Sequence, residues 1–294
     1  MSEAVRADLA DRILTITLRR PERRNAMTRA MIAEFVGVLD EADAVDEVSA
    51  VVVTGAGTAF CVGADLTGKA GGFVRPAGGT DGLDPRRDGG GLLALRLFSF
   101  SKPVVAAVNG DAAGVGASLL LPMDVRLAVT SARFGFVQTR RGIAPEGCAS
   151  WFLPRLVGVS RALEWTLSGR VFGAEEALAA GLVQRLCQPE ELLPDAVETA
   201  RQLVQDASPL SVAVTRRMMW HALTMPHPMD AHRMESALVR ALGSMPDARE
   251  GIAAFLEKRT ARFASHPSRD LGQFVHWWPT PAFDRPGPDR SEAR

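Results

Sequence analysis

The stretch KPVVAAVNGDAAGVGASLLLPMDVRLAV, residues 102–129, decides the fold. Residues 103–110 form a continuous apolar run ending in glycine, the pattern of a strand buried on both faces. Gly110, Gly114 and Gly116 then break the run, ASLLL opens a helix, and DVRLAV (124–129) begins another strand. The same plan is visible upstream. SAVVVTG (49–55) is an apolar run ending in glycine, and TGAGTAFCVGADL (54–66) leaves it through further glycines. RILTITL (12–18) and LVQRLC (182–187) add strands. Thr28 is placed to cap a helix on which Met31, Ile32, Phe35, Leu39 and Ala42 recur at helical spacing. Strand and helix alternate, so the class is α/β with right-handed crossovers.

Three regions depart from this rhythm. Residues 68–91 are glycine-rich and aperiodic, and are expected to form a flexible loop near a ligand, between two candidate site segments. After about residue 190 the pattern becomes helical, with Met and Trp stripes that suit either packing across an oligomer interface or an ordinary intrachain core. The expected division is a core with the active site over 1–190, a helical oligomerisation region over 191–264, and a loose tail over 265–294.

The 294 residues are 47% apolar and carry 34 basic and 34 acidic side chains, for no formal net charge. That balance gives no reason to expect nucleic acid or an anionic membrane as partner. Cys61, Cys148 and Cys187 are far apart and lack zinc spacing, which predicts reduced thiols in a cytoplasmic protein. The N-terminus is charged, without the apolar core of a signal peptide, and no apolar run approaches membrane-span length. The five histidines all follow residue 220 and tyrosine is absent. A site in the first two-thirds therefore has no Ser-His-Asp or Cys-His system available. Its acid–base group is a carboxylate, a cysteine or a water.

The glycine turns after the two apolar runs carry the chemistry. A turn that opens a helix leaves N–H groups unpaired, with the positive end of the helix dipole behind them. Two such donors from separate segments can bind one developing oxyanion. A dinucleotide site is excluded on detail: Leu119 stands where a third glycine is required, and the turn is not in the first βα unit.

Together LRRPERRNAMT (18–28), VVVTGAGTAFCVGADL (51–66), residues 102–129, ARFGFVQTRRGIAPEG (132–147), LSGRVFGAEEALAAGLV (167–183) and REGIAAFLEKRTARF (249–263) resemble the crotonase, or enoyl-CoA hydratase/isomerase, superfamily. The resemblance spans about residues 10–264. It implies a crotonase-like spiral of ββα units followed by helices that build a homotrimer or hexamer. It also implies acyl-CoA thioester substrates, with no metal and no cofactor beyond the coenzyme A carried by the substrate. By the same resemblance, the N–H groups of Ala64 and Val115 hold the thioester oxygen, and Val115 replaces the glycine most common there. Arg24, Ala26, Val62, Ala64, Asp65 and Leu66 match positions that hold coenzyme A, and Lys258 of a neighbouring subunit is implied at its phosphate.

Hydratases of the superfamily carry two glutamates, at positions matched here by Ser118 and Gln138. Neither is a useful base near neutral pH. One carboxylate stands out instead in FGFVQTRRGIAPEGCASWFLPRLVG (134–158): Glu146, between a proline and a glycine. It matches the segment where 3-enoyl-CoA/2-enoyl-CoA isomerases place their single glutamate. Trp151, Phe152 and Leu153 are expected to raise its pKa by drying its surroundings. A first-turn helix acid is the structural alternative for Glu146. Asp124 reads as a structural hydrogen-bonder and Cys148 as a small apolar filler. The expectation is an enoyl-CoA isomerase. A hydratase or other crotonase-type hydrolase or lyase, and a non-catalytic acyl-CoA-binding paralogue, remain open.

Overall fold

The computed structural model describes residues 4–67, 83–84 and 86–284. An antiparallel pair, β1 (Val5–Ala10) and β2 (Ile13–Leu18), opens the chain. Next comes α1 (Arg29–Ala44), capped by Thr28, whose Oγ1 accepts from the Met31 N–H at 3.1 Å. From there one step repeats: a strand in a first sheet, a short strand in a second sheet, then a helix. β3 (Ala50–Gly55), β4 (Ala59–Cys61) and α2 (Gly89–Ser99) make the first such step. β5 (Val104–Val108), β6 (Asp111–Ala113) and α3 (Val115–Leu119) make the second. β7 (Val125–Val129), β8 (Arg133–Gly135), α4 (Ala149–Val157) and α5 (Val159–Ser168) make the third. β9 (Val171–Gly173), α6 (Ala174–Ala179) and β10 (Arg185–Cys187) complete the spiral.

The first sheet runs β1-β2-β3-β5-β7-β10 and the second β4-β6-β8-β9. Beyond the β1–β2 pair the first sheet is parallel, so each return to it requires a crossover. β3 and β5 are buried along their whole length, as their unbroken apolar runs require. Successive turns of the spiral touch backbone to backbone. A Cβ on Gly116 would lie 2.1 Å from the Cys61 carbonyl oxygen, so only glycine lets α3 settle against the end of β4.

Four expectations need correction. The strand expected over 182–187 pairs only at Arg185–Cys187, because Leu182 and Val183 bend through a turn closed on the Ala177 carbonyl. Of the expected loop 68–91, residues 68–82 and 85 lie outside the described residues, while Gly89–Gly91 already form the first turn of α2. The helical region does not begin as a separate layer at 191. α7 (Leu192–Gln202) buries Leu192, Ala196 and Ala200 in the same core as the sheets. The segment from 265 is not a loose tail throughout, since α11 (Pro267–Asp270) and the 3₁₀ turns Leu271–Trp277 bury Leu271 and Phe274. Residues 285–294 lie outside the described residues.

A second core joins α8 (Pro209–Ala222), α9 (Pro228–Gly243) and the turns over 271–277 through Leu210, Ala213, Val214, Met234, Leu238, Leu271 and Phe274. Arg216 of α8 fastens this layer to the first. Its guanidinium donates to Asp124 Oδ2 at 2.8 Å and to the carbonyls of Leu97 and Phe100 at 2.9 and 2.6 Å. Asp124 also accepts from the Val104 N–H at 2.8 Å, which is the structural role expected of it. No helix of the described residues is long and apolar enough to cross a membrane.

Candidate active site

The two glycine turns meet at one cleft. Beyond β4 the chain pairs with Met27: the Met27 N–H donates to the Gly63 carbonyl and the Asp65 N–H to the Met27 carbonyl, both at 2.8 Å. Between them, the Ala64 N–H has no acceptor among the described residues. The Val115 N–H, the first of α3, has none either. Ala64 and Val115 line the same cleft of about 560 Å³, with Glu146 and Asp88. Two unpaired donors from separate segments beside one carboxylate can hold an oxyanion while a proton moves.

Glu146 is delivered by an irregular segment. The 3₁₀ turn Gln138–Arg141 ends at Gly142, and the chain then runs through Pro145 to Gly147 and Cys148, at φ 67° and 55°. α4 starts only at Ala149, so Glu146 lies before the helix rather than in its first turn. Gly147 is required on two counts: its left-handed backbone, and Ser118, whose Cβ would be 2.8 Å from an added Cβ. Glu146 lines both the main cleft and a side recess of about 70 Å³, which Gln138, Gly114 and Arg141 also line.

Burial pushes the Glu146 pKa up, and the negative Asp88 pushes it the same way. The Gln138 amide draws it partly back, approaching the carboxylate without completing a well-aligned hydrogen bond. Trp151 and Phe152, expected to dry this carboxylate, pack instead against Phe98 and Trp220 and are not among the cleft-lining residues. Ser118 Oγ and both polar atoms of the Gln138 amide are buried without a partner among the described residues. Cys61, also near Glu146, is pushed up to about 12 by burial, and burial raises Cys148 as well; neither serves as a thiolate.

The residues matched to coenzyme A positions separate into two groups. Ala64, Asp65 and Leu66 line the main cleft, and Val62 lines the recess. The Asp65 side chain is committed to the protein. It accepts from the Thr67 hydroxyl at 2.6 Å, the Thr67 N–H at 3.0 Å and Arg20 at 2.8 Å, which hold its pKa well below the usual carboxylate range. Arg20 also donates to the carbonyl of buried Ala26 at 2.5 Å, fixing the segment that carries Met27. Arg24 is outside the cleft lining; its guanidinium reaches Asp111, which Arg133 also holds. Lys258 caps the C-terminus of α10 (Pro246–Glu257), away from the cleft lining of its own chain. Two participants escaped the sequence reading. Arg20 stood among the four arginines of RRPERR (19–24), and Asp88 within the glycine-rich stretch. The signal for Asp88 was an acidic residue three positions before Gly91, an N-cap pattern.

A family model described as enoyl-CoA hydratase/isomerase matches residues 8–266. The chain belongs to the enoyl-CoA hydratase/isomerase family. Among its members, an enoyl-CoA hydratase of Alternaria alternata is 39% identical over 267 residues, covering 90% of this chain and 88% of that one. A 1,2-epoxyphenylacetyl-CoA isomerase of Escherichia coli is 33% identical, with 90% of this chain and 99% of that one covered. A crystal structure of a probable enoyl-CoA hydratase/isomerase from Mycobacterium abscessus superposes with a TM-score of 0.79 at 31% identity, covering 89% of this chain and 99% of that one. The crotonase-like fold expected from the sequence is thereby shown, and the chain is an enzyme of this family. Its relatives carry both hydratase and isomerase names.

Proposed function

We propose that this family member is an enoyl-CoA isomerase that converts 3-enoyl-CoA to 2-enoyl-CoA with Glu146 as its single base. The observation that carries this reading is one partly buried carboxylate of raised pKa, sharing a cleft with two unpaired backbone N–H groups. Glu146 removes a proton from carbon-2, and the electron pair enters the thioester as a dienolate. Its oxygen accepts from Ala64 and Val115. The same carboxylic acid returns the proton to carbon-4 as the double bond settles between carbons 2 and 3. No atom is gained or lost. Ser118 and Gln138, at the hydratase glutamate positions, supply no second acid or base. The coenzyme A portion is assigned by family likeness to Arg24, Ala26, Val62, Asp65 and Leu66, with Lys258 from a neighbouring subunit.

A second reading has a specific observation behind it. The buried, unpartnered Ser118 hydroxyl and Gln138 amide could hold a water near Glu146, which would favour hydration or hydrolysis. Incubating the enzyme with 3-hexenoyl-CoA and 2-hexenoyl-CoA and weighing the products separates the two, since only hydration adds the mass of water. The isomerase reading expects 2-hexenoyl-CoA from the first substrate and a rate about 10²–10⁴ lower in Glu146→Gln. Strong hydratase turnover that survives Glu146→Gln would overturn it. Acyl-CoA binding without turnover would leave a binding protein instead.

A further inference from the structure

The turn that presents Glu146 is not anchored by its own segment alone. Asp88 Oδ1 accepts from the Gly91 N–H at 2.5 Å, which caps α2, and also from the Gly147 N–H at 3.1 Å. The second bond joins residues 59 apart in sequence, and its donor is the residue directly after Glu146. A helix cap needs only the first bond. The surroundings leave little room for another fastening. A Cβ on Gly90 would stand 2.7 Å from Val115 Cγ2 and 3.3 Å from Gly147 Cα, so the start of α2 packs directly on the Val115 side chain of α3 and on the backbone of the 145–147 turn. Asp88 also lines the same cleft as Glu146.

We propose that Asp88 is a positioning residue for Glu146: its carboxylate latches the 145–147 turn to the first turn of α2 and holds a negative charge beside the base. The proposal rests on the assignment of Glu146 as the base. The latch fixes where the carboxylate stands relative to Ala64 and Val115. The charge opposes loss of the Glu146 proton, so the base is stronger when ionised and its proton is held to a higher pH. The other titratable and charged groups beside Glu146 among the described residues are Cys61 on β4 and Cys148, both neutral because burial raises them, Arg141 at the side recess, and Arg29, Asp65 and Arg86 around the main cleft. Arg87, next to Asp88, lines the main cleft and partly offsets its charge at Cys148.

Asp88→Asn keeps an oxygen that accepts both bonds but removes the charge, and Asp88→Ala removes both. Two readouts test the proposal without relying on turnover. The first is amide hydrogen exchange at Gly147, expected to be about tenfold faster in Asp88→Ala and near the native rate in Asp88→Asn. Asp88 acting only as a cap would speed exchange at Gly91 and leave Gly147 unchanged, which would overturn the latch. The second is infrared titration of protein labelled with ¹³C-glutamate, the Glu146 band being the one missing from Glu146→Gln. In Asp88→Asn this band should ionise at a lower pH than in the native protein. A band titrating as in the native protein would overturn the charge role. Failure of the isomerase assignment would be seen separately, as turnover surviving in Glu146→Gln, with both readouts intact.

Discussion

At the scale of single residues, the raised pKa of Glu146 has a consequence for stability as well as rate. A carboxyl whose folded-state pKa lies above its ordinary value of 4.5 stabilises the fold fully below that value and loses the contribution as pH rises through the folded pKa. Glutamine stays neutral and escapes the loss. Glu146→Gln should therefore melt at or above the native protein at neutral pH, with the gap narrowing as the pH approaches about 4. Differential scanning calorimetry across that range checks the sign; a native protein more stable than the variant at pH 8 would mean the carboxylate is well solvated, contrary to its burial. Glu146 was legible in the sequence because it is the only carboxylate of residues 134–158 and stands between Pro145, whose φ is fixed, and Gly147, which permits the left-handed turn. Asp88 was not, because its second bond reaches a donor 59 residues away and no local pattern encodes that pairing.

At the scale of elements, the buried strands of the first sheet were readable and the second sheet was not. β3 and β5 are buried on both faces and write themselves as apolar runs. β4, β6, β8 and β9 are each three residues long, too short for any period to show. β1 was missed for another reason: all but its first residue face solvent, and VRADLA sets Arg6 and Asp8 among small or exposed apolar residues, so no buried run marks it. The start of α3 was readable from its glycines, and it gives a clean test of the donor at Val115. Proline is tolerated at the first position of a helix, where its missing N–H has no helical partner in any case. Val115→Pro should therefore fold, by circular dichroism, yet lose about 10²–10³ in turnover with the donor. Val115→Ala keeps the N–H and should retain most activity. Equal rates in the two folded variants would remove Val115 from the oxyanion site.

At the scale of the whole molecule, the Met and Trp stripes of the C-terminal helices divide between the two readings left open by the sequence. Met234 is buried in the second core and Trp220 packs against the first, so part of the stripe is intrachain. Other large apolar side chains of these helices remain uncovered. On α10, Ile252, Phe255 and Leu256 are 64%, 83% and 73% exposed, and their spacing places them on one face of the helix. Val239 of α9 and Met219 of α8 are exposed as well. Scattered apolar side chains are ordinary on a surface, but a stripe of large ones along one helix marks a contact face. α10 also ends at Lys258, so a neighbour docking on this stripe would meet that lysine at its edge. The protein is expected to run as a trimer or hexamer in light scattering at micromolar concentration. Phe255→Asp places a charge where the aromatic ring would be covered, and should shift the population to smaller species while leaving the circular dichroism of the spiral unchanged. A native protein that scatters as a monomer would refute this contact face, and with it the assignment of a neighbouring Lys258 to coenzyme A.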